Sequence, residues 1–340
     1  MAAPASDFRA LEQQNRRQTM VLVAVVIVLF VALGFGLDLV AGDVGLSDGH
    51  VVGFPVLSIA ALAFGSMQAL VSFYGGANLV LLSVHARALE PDSVRHQTVL
   101  DVIREMSLAS RMPMPKPYVI DDPSPNAFAT GRDPAHSVIC VTQGLIDQMD
   151  REELQGVIGH EMAHVRDYDI RTMTMIAVMI GGIAMLSDFV FRMSFYGGFR
   201  GRSRDNNRDG GGAGALIAVA VILLAAVAPI FAQLLAMAVS REREYLADAS
   251  SVEFTRNPRA LLRALERIAE VESPLKEATA GTAHLFMVNP REGLREEDRE
   301  GFFDRLLSTH PPLGKRIERL RALLHESETV GAVESGSAAR

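Results

Sequence analysis

The sequence predicts a mainly α, multi-pass membrane protein that carries an α+β domain on one side of the bilayer. Three observations lead there. Apolar runs at Met20–Val40, Phe54–Phe73 and Leu216–Val239 have the length of a bilayer-spanning helix, in a chain that is 49% hydrophobic with positive mean hydropathy. Outside these runs, short β-type alternation is mixed with amphipathic helical pattern. Finally, Val157–Val165 reads Val-Ile-Gly-His-Glu-Met-Ala-His-Val, with two histidines one helical turn apart.

The chain begins with a polar stretch, Met1–Arg17, holding Arg9, Arg16 and Arg17, before a run with no charge until Asp38. A cleavable signal peptide competes with a retained anchor here. The run is longer than a signal core and lacks a small-residue cleavage site, so residues 1–18 are read as a cytoplasmic N-terminus before an anchor. Ala41–Pro55 contains no lysine or arginine, and basic residues return at Arg87, Arg95 and Arg104. The positive-inside bias therefore puts that short loop outside and returns the chain to the cytoplasm after two membrane helices within residues 19–83.

Residues 84–171 form the first part of the soluble domain. A helix is expected near Val94–Ala109, a turn at Met112–Pro117, and strands at Tyr118–Ile120 and Ser137–Val141. Between the strands, Asn126, Ala127, Phe128, Ala129, Thr130 and Gly131 form a short extended piece. It is either a sheet edge able to pair with a substrate peptide or a plain connecting strand. The lone cysteine, Cys140, excludes an internal disulfide and reads as a buried strand residue. A net charge of −7 argues against nucleic acid as a partner.

His160 and His164, four apart on a helix, can reach one zinc ion, and Glu161 then stands beside the metal where a general base is needed. Chance produces such a motif in about one chain in a hundred of this length, and context reduces that. Asp150 with Glu153 is a capping-box start, and Leu154, Val157, Ile158 and Val165 follow at helical spacing.

Residues 172–239 hold the apolar Met173–Leu186, broken by Ser187 and Asp188, then a Gly/Arg-rich loop at Gly197–Gly214 expected to be disordered, then Leu216–Val239. If both apolar segments cross, Arg200, Arg202, Arg204 and Arg208 lie outside, against the charge bias. Any later ligand must meet His164 on the same side, which two crossings or a buried hairpin both satisfy. Two crossings are the preferred reading. Catalytic zinc takes three protein ligands and leaves a position open. In Ser240–Ala249, Glu244 and Asp248 share a helical face while Glu242 points away. Glu244 as third ligand, with Asp248 orienting a ligand histidine, is the economical assignment, and it makes the domain zincin-like, of the gluzincin kind.

These motifs, with Asn126-Ala-Phe-Ala-Thr-Gly131, Leu285-Phe-Met-Val-Asn-Pro290 and Thr309-His-Pro-Pro-Leu-Gly-Lys-Arg-Ile317, resemble the HtpX family of membrane zinc metalloproteases, which is related to the type I CAAX prenyl protease. The resemblance runs from the first membrane segment to about Leu324. It implies an inner-membrane endopeptidase with its active site in the cytoplasm, cutting membrane proteins in their quality control. It also implies that His310 and Arg316 stabilise the oxyanion. The insert at Gly197–Gly214 departs from the family pattern.

Helices are expected at Pro258–Val271 and Gly314–Leu324 within the second part of the domain, residues 240–325, and a disordered tail over 326–340. The expected partners are protein or peptide substrates and the lipid bilayer; the expected cofactor is one zinc ion. A silent membrane scaffold with a structural zinc is the alternative, against which stands the open ligand position.

Overall fold

The computed structural model describes residues 7–41, 44–47, 50–196, 222, 241–271, 282–288 and 311–337. The Gly/Arg-rich loop, nearly all of Leu216–Val239, and His310 lie outside the described residues.

Two long helices, α1 (Asp7–Ala41) and α2 (Val56–Ser83), run antiparallel, joined by a hairpin of β1 (Val44–Ser47) and β2 (His50–Gly53) where a plain external loop was expected. Asp38 explains why the first apolar run ends in a charge. Its buried carboxylate accepts from Leu57 N and Ser58 N, both at 2.8 Å, and from Ser58 Oγ at 2.6 Å, so it caps the start of α2, whose first amides have no partner within the helix. One turn deeper, Gly34 allows the helices to touch: a Cβ there would come within 2.7 Å of Leu57 O.

Beyond these two helices lies a four-stranded sheet in the order β3 (Arg87–Ala88), β4 (Lys116–Ile120), β6 (Ser137–Thr142), β5 (Ala127–Gly131). β4 and β6 are parallel; β5 is antiparallel to β6 and is an edge. Helix α3 (Val94–Ser110) starts at Ser93, whose side chain accepts from His96 N. It shares one core with α5 (Arg151–Arg166), α8 (Pro258–Ala269) and α9 (Leu313–Ser337), through residues such as Val99, Ile139, Val157, Leu265 and Leu320. A short helix α4 (Gln143–Gln148) links β6 towards α5. Cys140 is buried in β6, where burial pushes its thiol pKa up.

Helix α6 runs over Asp169–Tyr196, past Ser187 and Asp188 where the apolar run ends, and Asp188 meets Arg192 one turn on at 2.7 Å. One expectation is corrected: α9 continues through residues 326–337, expected to be a disordered tail, since adding residues to a packed helix costs far less than nucleating one.

Among the described residues three helical stretches are long and apolar enough to cross a membrane: Gln13–Leu39, Val56–Ser83 and Asp169–Asp188. In its apolar window α6 is 67% buried against 17% for α2, which makes α6 the inner helix. Leu22, Val26 and Phe30 of α1 pack on Ile176, Met179 and Ile183 of α6. The end of α2 (Val80, Leu81, Val84) and the start of α6 (Met173, Ala177) pack on Phe128 and Cys140, so both helices meet the sheet at the same end.

Candidate metal centre

The histidines owe their placement to how α5 begins. Asp150 accepts from Glu153 N and Glu153 accepts from Asp150 N, both at 2.8 Å, a reciprocal cap that sets the helix register. His160 and His164 then stack one turn apart, their Nε2 atoms 3.2 Å from each other and both rings buried. Helix α7 (Arg241–Thr255) crosses α5 and brings Glu244 in. Gly156 permits the closeness of this packing: a Cβ there would lie 2.5 Å from Leu261 N on α8, and the Gly156 carbonyl accepts from Ser251 Oγ of α7 at 2.6 Å.

Glu244 Oε2 stands 3.6 Å from His160 Nε2 and Oε1 stands 3.6 Å from His164 Nε2. One ligand atom from each of the three residues falls within 4.8 Å of the others. Two donors each about 2.1 Å from one ion, at a tetrahedral angle, stand roughly 3.4 Å apart. The two nitrogens and the carboxylate therefore fit a tetrahedral cation with a fourth position left over, and two imidazoles with one carboxylate suit zinc.

Each of the two histidines has a carboxylate behind it. His160 Nδ1 is 3.0 Å from Asp248 Oδ1, and His164 Nδ1 is 3.1 Å from Asp169 Oδ2. Such partners fix the tautomer that turns the Nε2 lone pair to the metal. Asp169, the first residue of α6, was not singled out in the sequence; the only signal was a carboxylate five residues after His164, just past the end of its helix.

Arg316 lies at the back of the cluster. It is 1% exposed, forks onto Asp248 with Nε at 3.0 Å and Nη2 at 2.6 Å, donates Nη1 to Met287 O at 2.9 Å, and sits 3.4 Å from His160. Glu161 is 2% exposed, and burial lifts its pKa against the pull of His160 and His164. Burial would lower His164, but the Asp169 hydrogen bond and the Glu244 charge prevail and push it up to about 9. Burial and Arg316 both act to lower His160, yet its bonds to Asp248 and Glu244 raise it. Asp248 would be raised by burial; Arg316 and His160 hold it down instead.

The stretch Asn126–Gly131 forms β5 and its lead-in, buried throughout. Part of the free edge is taken by the chain itself: Met287 N donates to Ala127 O at 2.8 Å, Asn126 bonds Val288 O at 2.8 Å, and Gly131 N donates to Thr174 Oγ1 at 3.1 Å. Phe128 and Thr130 turn their backbone groups to β6, which leaves Ala129 between these two clasps with its amide and carbonyl facing the edge.

Residues 93–324 match peptidase family M48. The chain is 37% identical to the protease HtpX homolog of Streptococcus uberis over 308 residues, covering 91% of this chain and 97% of that one. It is 38% identical to that of Lactobacillus acidophilus over 311 residues (90% and 97%) and 40% identical to that of Thermococcus sibiricus over 280 (82% and 90%). The crystal structure of S. mikatae Ste24p aligns with 92% of this chain and 66% of its own at 18% identity and a TM-score of 0.45. With a helix-borne histidine pair, a glutamate beside it in a group able to hold a metal ion, and relatives that match nearly end to end, the chain belongs to peptidase family M48, as a metalloendopeptidase of the HtpX kind.

Proposed function

We propose a zinc endopeptidase of the membrane, of gluzincin type, in which His160, His164 and Glu244 hold the ion and Glu161 is the general base. The observation that carries this is the ligand cluster, with 3.2 Å between the two Nε2 atoms and a buried carboxylate in the next position along α5. When bound, zinc supplies Lewis acidity, which polarises the scissile carbonyl and acidifies the attacking water. Glu161 takes the water proton as the oxygen attacks the carbonyl carbon, then gives it to the amine nitrogen as the C–N bond breaks. Its raised pKa suits a group that must hold and then release a proton. Asp248 and Asp169 keep the histidines in their ligating tautomer. Arg316 positions Asp248 through Nε and Nη2, and with Nη1 3.6 Å from Glu244 Oε2 it faces the ligand cluster, where it keeps the oxyanion role implied by the resemblance. His310 keeps the role of oxyanion donor.

Substrate peptide pairs with β5 at Ala129, within Asn126–Gly131. Membrane proteins are the proposed substrate class and the bilayer the setting. A cleft of about 1050 Å³ runs from the apolar face of α1 (Met20, Val23, Ile27) past Phe73 to Tyr168 and to His136, in the turn after β5. A segment leaving the bilayer there has a short path to the sheet edge. We further propose that the domain, in parts 84–171 and 240–325, lies in the cytoplasm with both termini, at the inner membrane, in membrane-protein quality control.

Cleavage of casein or a model membrane protein, with and without chelator, tests the reading. Glu161→Gln should keep one zinc per chain and lose about 10²–10⁴-fold in cleavage, the usual contribution of general acid–base catalysis. Zinc without cleavage in either form would leave the scaffold reading; wild-type cleavage by the variant overturns the mechanism.

A further inference from the structure

Behind His164 a buried polar chain continues to the first membrane helix. Asn15 of α1 is 4% exposed, and all of its side-chain hydrogen-bonding atoms are used. Nδ2 donates to Asp167 O at 2.8 Å and to Asp169 Oδ1 at 2.7 Å; Oδ1 accepts from Arg243 Nη1 at 2.7 Å. Arg243, 8% exposed, gives the same nitrogen to Asp169 Oδ1 at 2.9 Å. Asp169 thus presents Oδ2 to His164 while Oδ1 is clamped from two other helices. Arg243 is also the residue before Glu244 on α7, so the clamp touches the supports of two of the three ligands.

An amide suits this place. It offers two donors to a carbonyl and a carboxylate and one acceptor to a guanidinium, a combination that neither aspartate nor leucine provides. A buried network whose amide and carboxylate are both engaged holds its parts in one arrangement, and of the Arg243 fork only Nη1 takes part, Nη2 being buried without a hydrogen-bond partner among the described residues. We infer that Asn15 is a positioning residue of the metal centre: the membrane helix α1 supplies part of the frame that orients His164 and seats α7, so zinc retention depends on α1 being docked. The inference rests on the zinc reading above and adds to it a residue outside the matched peptidase region, which starts at residue 93.

The test uses the full chain in detergent and measures zinc affinity by competition with a chromogenic chelator. Removing a partner of a ligating residue typically costs 10–100-fold in affinity. Asn15, one step further out, should on Asn15→Ala weaken zinc binding about tenfold, with kcat falling and KM little changed. Thr19→Val is the control: it removes the 2.8 Å Thr19–Thr172 hydrogen bond and the Thr19 Oγ1 bond to the Asn15 carbonyl, leaves the Asn15 side chain on its three partners, and should bind zinc as the wild type does. Arg243→Gln reaches the network from α7 and should weaken zinc in the same direction, so the outcome does not depend on one variant folding. The double variant Asn15→Ala/Asp169→Asn should lose less than the sum of the two single losses, because Asn15 acts through Asp169. Wild-type affinity in Asn15→Ala, an equal loss in Thr19→Val, or strict additivity overturns the inference. A wild-type chain that binds no zinc overturns the metal reading itself.

Discussion

Glu244 and Glu242 are two residues apart on one helix, and their difference is a matter of face. Glu244 approaches both histidine Nε2 atoms, at 3.6 Å each, and helical spacing turns a residue two positions away from that face. Glu244→Ala should therefore strip zinc while Glu242→Ala retains it; equal metal content in the two purified variants would falsify the ligand set. A second prediction concerns protons. His164 in the metal-free protein is pushed up to about 9, so at neutral pH it is protonated, and it must be neutral to ligate. Adding zinc at about pH 7 should release protons, and the part owed to His164 should fade as the pH rises past about 9. An indicator titration in weak buffer measures it, and no release near neutrality counts against the arrangement. The sign for stability follows from the same shift. A folded pKa above the ordinary 6.5 stabilises the metal-free fold fully below 6.5, and that gain is lost as pH rises through about 9. The meeting of His160, His164 and Glu244 was legible in the sequence because a four-residue spacing on a helix is a local signal. Asp169, Asn15 and Arg243 were not, because their meeting joins positions 154 and 228 residues apart that no local pattern links.

At the scale of elements, the site depends on how closely α5, α7 and α8 pack. Gly156→Ala would set a methyl group against the Leu261 backbone, which has no rotamer to yield. A cost of about 1–3 kcal/mol is usual for such overpacking, and because Ser251 on α7 bonds Gly156, zinc affinity should fall with stability. Thermal unfolding and chelator competition on the same preparation check it; an unchanged melting temperature would show that the helices can shift apart freely. The start of α5 was readable from its capping box, and α3 and α8 from their apolar spacing. The β1–β2 hairpin was not, since a four-residue strand carries too little alternation to stand out. The end of the apolar run at Ser187 and Asp188 was legible too, and the helix goes on past it to Tyr196.

For the whole molecule, the contacts of Asn15 with Asp169 and of the end of α2 with the sheet put the start of α1, the end of α2 and the soluble domain together. With basic residues flanking α1 and α2 on that side and none in Ala41–Pro55, a reporter fused after Ser47 should behave as external and one after Glu326 as cytoplasmic. Finding both on one side would overturn the proposed topology. Under that topology Asp38 must be carried across during biogenesis. A lone carboxylate is costly to move through hydrocarbon, but this one has three donors waiting at the start of the next helix. The pair of helices can thus close on itself before any of the peptidase has left the ribosome. The charge of Asp38 is met by partners 19 and 20 residues further on, while Leu22, Val26 and Phe30 of the same helix wait for α6 to cover them.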